Sequence, residues 1–129
     1  MPGGFLHEDE LVAAFHVVSV ERPEEPVYLG HLLVVTKRHV PRLGDLTESE
    51  AAAVGVAATR LARVLVNKGG ADWVFSAVIG TGVPHFHYHL VARYPETPRD
   101  LPWHQVDEWE GARRGDFEEL AAFVERLRS

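Results

Sequence analysis

The segment from His85 to Val91 constrains the fold of this chain more than any other part of the sequence. It reads HFHYHLV, so histidines alternate with aromatic or apolar residues. Because successive side chains of a β-strand point to opposite faces of a sheet, the three imidazoles share one face. Phe86, Tyr88 and Leu90 share the other face, where we expect them to pack on a helix. The segment therefore predicts a sheet with one face in the core and one face free for chemistry.

The rest of the chain carries the signals of a mixed fold. Thr47 and Glu50 form a capping-box pattern ahead of an apolar run with helical spacing, and Asp116 and Glu119 repeat that pattern later. The expected elements are strands at 11–20, 30–36, 73–79 and 85–93 and helices at 48–67 and 116–128. We therefore predict an α+β fold with an antiparallel sheet, one long helix and a C-terminal helix.

The length of 129 residues fits one domain, and we take 1–129 as that domain. Residues 1–9 are expected to be an N-terminal extension and 94–115 an irregular segment. Small residues along the long helix suit either burial under the sheet or a dimer interface. Aromatic and basic residues of the irregular segment are expected to cover the site, to contact a partner subunit, or to be solvated. They are Trp103, His104, Trp109, Arg113 and Arg114.

Composition excludes several classes of function. The formal net charge of −6 argues against binding long nucleic acids, whose phosphates are neutralised by Lys and Arg, but leaves a small phosphorylated ligand open. No apolar run has the roughly 20 residues that cross a bilayer, and the first ten residues lack the pattern of an export signal. The sequence has no cysteine, which fits a reducing compartment. We therefore expect a cytoplasmic protein without a membrane partner.

Three histidines on one strand face have two functional interpretations. Imidazoles at this spacing can ligate zinc, as in three-histidine catalytic sites. Alternatively, a neutral imidazole can attack phosphorus while its neighbours donate to the phosphate oxygens. Gly80 and Gly82 precede the strand, and glycines let backbone N–H groups approach an anion closely. The strand carries no carboxylate that would complete a metal site. These residues favour phosphate chemistry and leave the metal site as the alternative.

The sequence resembles the histidine-triad (HIT) superfamily, in particular its Hint- and Fhit-like hydrolase branch. The segment 85–91 fills the signature His-φ-His-φ-His-φ-φ, where φ is apolar. A second segment, 30–40 (GHLLVVTKRHV), is similar to the family's Gly-His-x-Leu-Val-(Ile/Val)-Pro-Lys-x-His strand. Together with Pro84 and Arg93 around the triad, the resemblance covers about 11–94.

This resemblance implies a homodimer of α+β protomers, each with an antiparallel sheet of about five strands. It also implies that the protein acts on a nucleotide, such as a purine nucleoside phosphate, without a cofactor or catalytic metal. It implies that His87 is the nucleophile, which forms a nucleotidyl-histidine that water then hydrolyses. His89 would contact the phosphate oxygens and His85 would orient the cluster. His31 corresponds to the family's upstream histidine near the triad, whereas His39 is expected to face solvent.

The chain departs from the family pattern in the residues that bind substrate. The loop before the triad is shortened and altered, and Gly82 stands where a hydroxyl residue is usual. We expect Thr81, Gly82 and Val83 to contact the substrate, with Thr81 as a partial replacement for that hydroxyl. The usual asparagine on the preceding strand has no counterpart. Val17 replaces an acidic residue that commonly binds ribose, and His16 is the candidate to take over that contact.

Three functions follow as hypotheses. The first is a nucleotide hydrolase or nucleotidyl transferase that acts on an anhydride, ester or phosphoramidate through His87. The second is a non-catalytic nucleotide-binding or scaffold protein, which the altered loop would explain. The third is a metal site on the three histidines, for which the sequence offers no carboxylate or other partner to orient the ligands.

Overall fold

The main element of the fold is an antiparallel sheet of five strands. The computed structural model describes residues 4–18, 22, 24–79 and 84–129. The strands of the sheet stand in the order β1-β2-β4-β6-β5. They are β1 (His7–Glu8), β2 (Val12–His16), β4 (His31–Thr36), β5 (Trp73–Val78) and β6 (His87–Arg93). A separate two-stranded ladder joins β3 (Val27–Tyr28) to β7 (Arg114–Gly115). The helices are α1 (Glu48–Asn67) and α2 (Phe117–Arg128). The predicted α+β fold is confirmed.

Both helices begin where the capping patterns predict. The Thr47 hydroxyl accepts the N–H of Glu50 at 3.0 Å, and the Glu50 carboxylate accepts the N–H of Thr47 at 2.8 Å. Asp116 and Glu119 form the same reciprocal pair ahead of α2. Each pair satisfies N–H groups that the first turn of a helix leaves without partners.

The core lies between α1 and one face of the sheet. Phe86 and Leu90 are almost fully buried there beside Leu61 and Leu65 of the helix, as the alternating pattern predicts. Tyr88, on the same face, is only half-buried, and its hydroxyl donates to the Ser76 hydroxyl at 3.2 Å. The core therefore thins out toward β5, the outer strand.

Strand pairing sets which side chains share the other face. In the register of β4 with β6, His87 lies opposite Val35, His89 opposite Leu33, and Val91 opposite His31. Directly opposed residues of an antiparallel pair point to the same face. His31 therefore lies on the face of the triad, next to His89.

Several boundaries differ from the prediction. β6 begins at His87 rather than residue 85, because the N–H of Phe86 donates to the carbonyl of Val40, beyond the end of β4. β2 ends at His16, and the region 1–9 contributes the edge strand β1. The segment 94–115 contains a 3₁₀ turn at Trp103–Gln105 and the strand β7. In the described part of the chain, neither helix has the length and apolar character required to cross a membrane.

We predict that Thr47→Ala lowers the free energy of unfolding by about 1 kcal/mol, because the N–H of Glu50 loses its acceptor. Urea unfolding followed by circular dichroism measures this loss. The matched control is Thr59→Ala in the same helix, whose hydroxyl only donates to the Gly55 carbonyl at 2.8 Å. This control is expected to change stability by less than about 0.5 kcal/mol. Equal losses in the two variants would contradict a stabilising cap.

Candidate active site

The three triad rings lie side by side on the solvent-accessible face of β6. The ring centroids of His85 and His87 are 5.9 Å apart, and those of His87 and His89 are 6.4 Å apart. The residues are half-buried, so the rings are supported by the sheet and remain open on one side. This is the side-by-side arrangement that the alternating sequence predicts.

His85 is fixed by the end of β4. Its Nε2 donates to the carbonyl of Thr36 at 2.8 Å, so in the neutral ring the proton lies on Nε2. The ring of His39 packs edge-on against it, with centroids 4.8 Å apart. His39 is exposed, as expected, but it also joins the triad, a contact that sequence analysis missed. The antiparallel pairing of β4 with β6 could have predicted this contact, because it brings the residues just after Thr36 to the start of β6.

His87 occupies the centre of the cluster. Burial lowers the pKa of its imidazole, and the neighbouring rings of His85 and His89 lower it further. A hydrogen bond to the backbone of His85 acts in the opposite direction. Because this bond occupies one ring nitrogen as a donor, the other nitrogen of the neutral ring keeps its lone pair. The central ring is therefore uncharged near neutral pH and has a free nitrogen.

His31 and His89 form a direct imidazole pair. Nε2 of His31 lies 2.9 Å from Nδ1 of His89, so one nitrogen donates and the other accepts. Burial lowers the pKa of His31 to about 4, helped by repulsion from His89 and His16. Burial also lowers the pKa of His89, which a hydrogen bond to the Ile79 backbone opposes. A proton held between these two rings has a defined position beside the central histidine.

His16, the candidate for a ribose contact, is instead part of the core. It is 2% exposed, its Nδ1 donates to the carbonyl of Val17 at 2.8 Å, and its Nε2 accepts the N–H of Gly30 at 2.9 Å. Its ring stands edge-on to Phe123 of α2. With both nitrogens occupied by the backbone, the ring has none left for a sugar hydroxyl. Sequence analysis missed this because the partner lies 14 residues away.

Gly30 connects this buried histidine to the site. Its φ angle is +111°, a backbone conformation that favours glycine. A Cβ atom at this position would lie 2.6 Å from the hydroxyl of Tyr94 and 2.7 Å from the Cβ of Ala92. Gly30 therefore lets the chain turn closely over β6 just before His31.

The predicted phosphate-contacting residues Thr81, Gly82 and Val83 lie outside the described residues. Their contact with substrate stays a prediction. The chain is described again from Pro84, directly before the triad.

A cavity of about 210 Å³ opens beside the imidazole pair. Its lining residues come from the sheet, from β3 and from the 94–115 segment of the same chain. They are Tyr28, His31, Ile79, His89, Val91, Trp103, His104 and Asp107. Two of the five residues considered for this segment, Trp103 and His104, thus lie over the candidate site.

Arg113 and Arg114 hold that segment in place. Arg113 pairs with the Glu96 carboxylate, with Nη2 to Oε1 at 2.9 Å, and its guanidinium lies 4.0 Å from the centre of the Tyr94 ring. Arg114 donates to the carbonyl of Asp107. Asp107 had no signal in the sequence, because it belongs to an aperiodic segment with many charges.

The side-chain chemistry of this face suits attack on phosphorus. A neutral ring with a free nitrogen stands between two further imidazoles, those of His85 and His89. Within the ranges that the structure describes, no three His, Asp or Glu side chains come together in a way that could hold a metal ion.

Comparison with known proteins identifies the family of this arrangement. The family model described as the HIT domain matches residues 2–96. The bis(5′-adenosyl)-triphosphatase of Dictyostelium discoideum is 35% identical over 74 residues, which are 54% of this chain and 50% of that protein. The purine nucleoside phosphoramidase of Escherichia coli K12 is 25% identical over 104 residues, 76% of this chain and 82% of that protein. The chain thus spans about half the length of the triphosphatase.

A solved structure supports the same assignment. The zinc-bound histidine triad family protein of Mycobacterium smegmatis superimposes with a TM-score of 0.67 at 25% identity. The match covers 98% of this chain and 85% of that protein.

We predict that burial of neutral His16 makes the fold sensitive to acid. Burial lowers the pKa of His16 to about 4, below its unfolded value of 6.5. The contribution of His16 to the free energy of unfolding is therefore complete above about pH 6.5. As the pH falls toward 4, this free energy decreases by about 3 kcal/mol at most. In His16→Phe the N–H of Gly30 loses its acceptor, so the variant is less stable near neutral pH. Urea unfolding at a series of pH values is expected to show this gap from wild type narrowing toward pH 4.

The control is His104→Phe, which removes an exposed histidine. Its stability relative to wild type is expected to stay constant over the same range. A gap for His16→Phe that does not change with pH would show that His16 is not held neutral by burial.

Proposed function

Because the chain belongs to the HIT domain family, we propose that it is a nucleotide hydrolase or nucleotidyl transferase with His87 as its nucleophile. The observation that carries this proposal is the central, half-buried ring of His87, whose pKa is lowered and which keeps one nitrogen free. The activities named for the triphosphatase and the phosphoramidase support a nucleotide substrate, for which we propose a purine nucleoside phosphate. The shared chemistry is displacement at phosphorus.

The reaction proceeds in two displacements. In the first, the lone pair of His87 forms an N–P bond to the α-phosphorus while the bond from phosphorus to the leaving group breaks. In the second, a water oxygen attacks the same phosphorus and gives up a proton to solvent. The N–P bond breaks, and the ring is released with its lone pair. Division into two steps replaces one difficult displacement by two easier ones. When an alcohol or a second phosphate takes the place of water, the same enzyme transfers the nucleotide.

The other histidines act around this nitrogen. The pair of His31 and His89 holds a proton beside His87 and fixes the ring of His89 next to the proposed phosphate site. His85, anchored on the Thr36 carbonyl, supports the ring of His87 from the other side. Backbone N–H groups of Thr81, Gly82 and Val83 would complete the phosphate site.

We also propose that the molecule is a homodimer built on the outer strand β5. Trp73 and Val78 of this strand are 61% and 39% exposed. Within the described residues β5 pairs only with β6, so its other edge is open. An open apolar edge is a surface that pairs readily with another chain. We further propose that residues 1–129 form one domain. We also propose that the protein is cytoplasmic, because its sequence has no cysteine.

We predict that His87 carries an adenylyl group after the protein is incubated with an adenosine phosphoramidate or diadenosine triphosphate. The reaction is stopped rapidly and without acid, so that the N–P bond survives. Mass spectrometry of peptides locates this group. His87→Ala is expected to abolish both the adduct and turnover, with a loss of at least about a thousandfold in rate.

The matched control is His7→Ala, which removes a histidine of the edge strand β1 and is expected to keep both the adduct and turnover. Turnover that survives in His87→Ala would overturn the assignment of the nucleophile. Binding of adenosine monophosphate without turnover of either substrate would support a non-catalytic nucleotide-binding protein instead. A stoichiometric metal retained after dialysis against a chelator would support the metal site.

We predict that Val78→Lys weakens the dimer by placing a charge on the open edge of β5. Sedimentation equilibrium is expected to show wild type as a dimer and the variant shifted toward monomer by at least about tenfold in dissociation constant. The control is Phe117→Lys on α2, which places the same charge at a residue that is 56% exposed. A monomeric wild-type protein, or equal shifts in both variants, would contradict this interface.

A further inference from the structure

The first histidine of the triad is supported by the turn after β4 rather than by the strand that follows it. β6 begins at His87, so His85 lies before the regular ladder. Its Nε2 donates to the carbonyl of Thr36 at 2.8 Å, and the next N–H along the chain donates to the carbonyl of Val40 at 2.7 Å. Both acceptors belong to residues 36–40, which we call the supporting turn.

Resting on the proposed function, we propose that the Thr36 hydroxyl and the pair of Arg38 with Glu50 are positioning groups for the nucleophile. They fix the supporting turn, and the supporting turn fixes His85. The backbone of His85 in turn accepts a hydrogen bond from the ring of His87. These groups therefore act on the reaction through the triad, from the side of the sheet that carries the core.

The hydroxyl of Thr36 closes the supporting turn. Thr36 is 1% exposed, and its side chain lies on the core face with those of Leu32 and Val34. The hydroxyl donates to the carbonyl of Arg38 at 2.9 Å, which satisfies a buried donor that would be costly to leave unpaired. The HIT motif has proline at this position, whose ring restricts the backbone. In this chain a hydrogen bond restrains the turn instead, and with it the carbonyl that faces His85.

The guanidinium of Arg38 connects the supporting turn to α1. Its Nη2 lies 2.7 Å from Oε1 of Glu50 and its Nε lies 3.0 Å from Oε2, so the pair is bidentate. The same Nη2 donates to the carbonyl of Asp45 at 2.9 Å. Glu50 is 2% exposed, and a bidentate pair fixes orientation as well as distance. The N–H of Lys37 also donates to the carbonyl of Leu11 at 2.8 Å, which attaches the turn to β2.

The direction of the His87 ring is what this support controls. Attack on phosphorus requires the free nitrogen to point along the bond that it forms. The other nitrogen of the ring is bonded to the backbone of His85, so a displacement of that backbone rotates the nucleophile. Misdirection slows the chemical step more than it weakens binding of the nucleotide. We therefore expect changes in the supporting turn to lower kcat more than they raise KM.

The first experiment removes the hydroxyl and then restores it. Thr36→Val keeps the branched shape in the core, and its kcat on diadenosine triphosphate or an adenosine phosphoramidate is expected to fall about tenfold, with KM within about twofold. Thr36→Ser keeps a hydroxyl and is expected to retain kcat within about threefold of wild type. The matched control is Thr59→Val, which removes a hydroxyl that donates to the Gly55 carbonyl in α1 and is expected to keep kcat.

The second experiment removes the connection to α1. Arg38→Gln is expected to lower kcat at least about fivefold, because the turn loses its bidentate partner. The matched control is Arg42→Gln, which removes a neighbouring positive charge whose carboxylate partner, Asp45, lies outside α1. This control is expected to keep wild-type kcat. Equal losses in the two variants would show an effect of charge alone and would overturn the role of the ion pair.

A third measurement does not depend on turnover. Protein labelled with 15N in its histidine rings is studied by NMR at about pH 8, where the rings are neutral. In wild type, the ring shifts of His85 are expected to show the proton on Nε2, which donates to Thr36. In Thr36→Val they are expected to move toward the mixture of tautomers of a free imidazole. All kinetic comparisons are made below the temperature at which circular dichroism shows any variant to unfold.

The outcomes separate this inference from the proposed function. Wild-type kcat and wild-type ring shifts in Thr36→Val overturn the inference and leave the nucleophile standing, as does a loss of kcat that is equally large in Thr36→Ser. If wild type turns over neither substrate, the proposed function fails, and the ring shifts of His85 and His87 test the positioning by themselves. A change in Thr36→Val that is absent from Thr36→Ser supports it, and identical shifts in all three proteins overturn it.

Discussion

The pairing of β4 with β6 is the interaction on which the candidate site depends. Its register places His31 opposite Val91 and Leu33 opposite His89, so the upstream histidine and the triad share one face. A shift by one residue would send every side chain of one strand to the opposite face. The burial of Phe86, Leu90, Leu32 and Val34 on the other face opposes such a shift. The same apolar contacts that form the core thus align the imidazoles.

Crowding of histidines gives the site its chemical character. Imidazoles that are close together and partly buried resist protonation, since each positive charge would be desolvated and would repel the next. The lowered pKa values of His31, His87 and His89 express this effect. A backbone carbonyl also determines which nitrogen of a neutral ring carries the proton, because Nε2 of His85 donates to the carbonyl of Thr36. Neutral rings with defined proton positions result from the packing of the sheet, without a carboxylate among them.

Local sequence patterns predicted much of this fold because they depend on neighbouring residues alone. The reciprocal caps at Thr47 and Asp116 gave the starts of both helices, and the alternation from residue 85 gave the faces of β6. The resemblance of segments 30–40 and 85–91 to the family motifs identified His31 as the counterpart of the family's upstream histidine. These inferences needed only spacing, propensity or a motif.

The features that escaped prediction depend on contacts between distant parts of the chain. His16 meets the backbone at Gly30, His39 meets His85, and Asp107 reaches the cavity through an irregular segment. No periodicity marks such residues, since their partners are decided by strand order and by the path of the 94–115 segment. The boundary of β6 was misplaced for a related reason, because Phe86 bonds to Val40 outside the regular ladder.

The close turn at Gly30 has a consequence for how the site tolerates change. The hydroxyl of Tyr94 donates to the carbonyl of Leu29 at 2.6 Å, and the N–H of Gly30 is bonded to His16, so the backbone entering β4 is held from both sides. Any side chain added there would push against Ala92 and Tyr94 and carry His31 away from His89. The lack of a side chain at this one position is thus as strict a requirement for the imidazole pair as the imidazoles themselves.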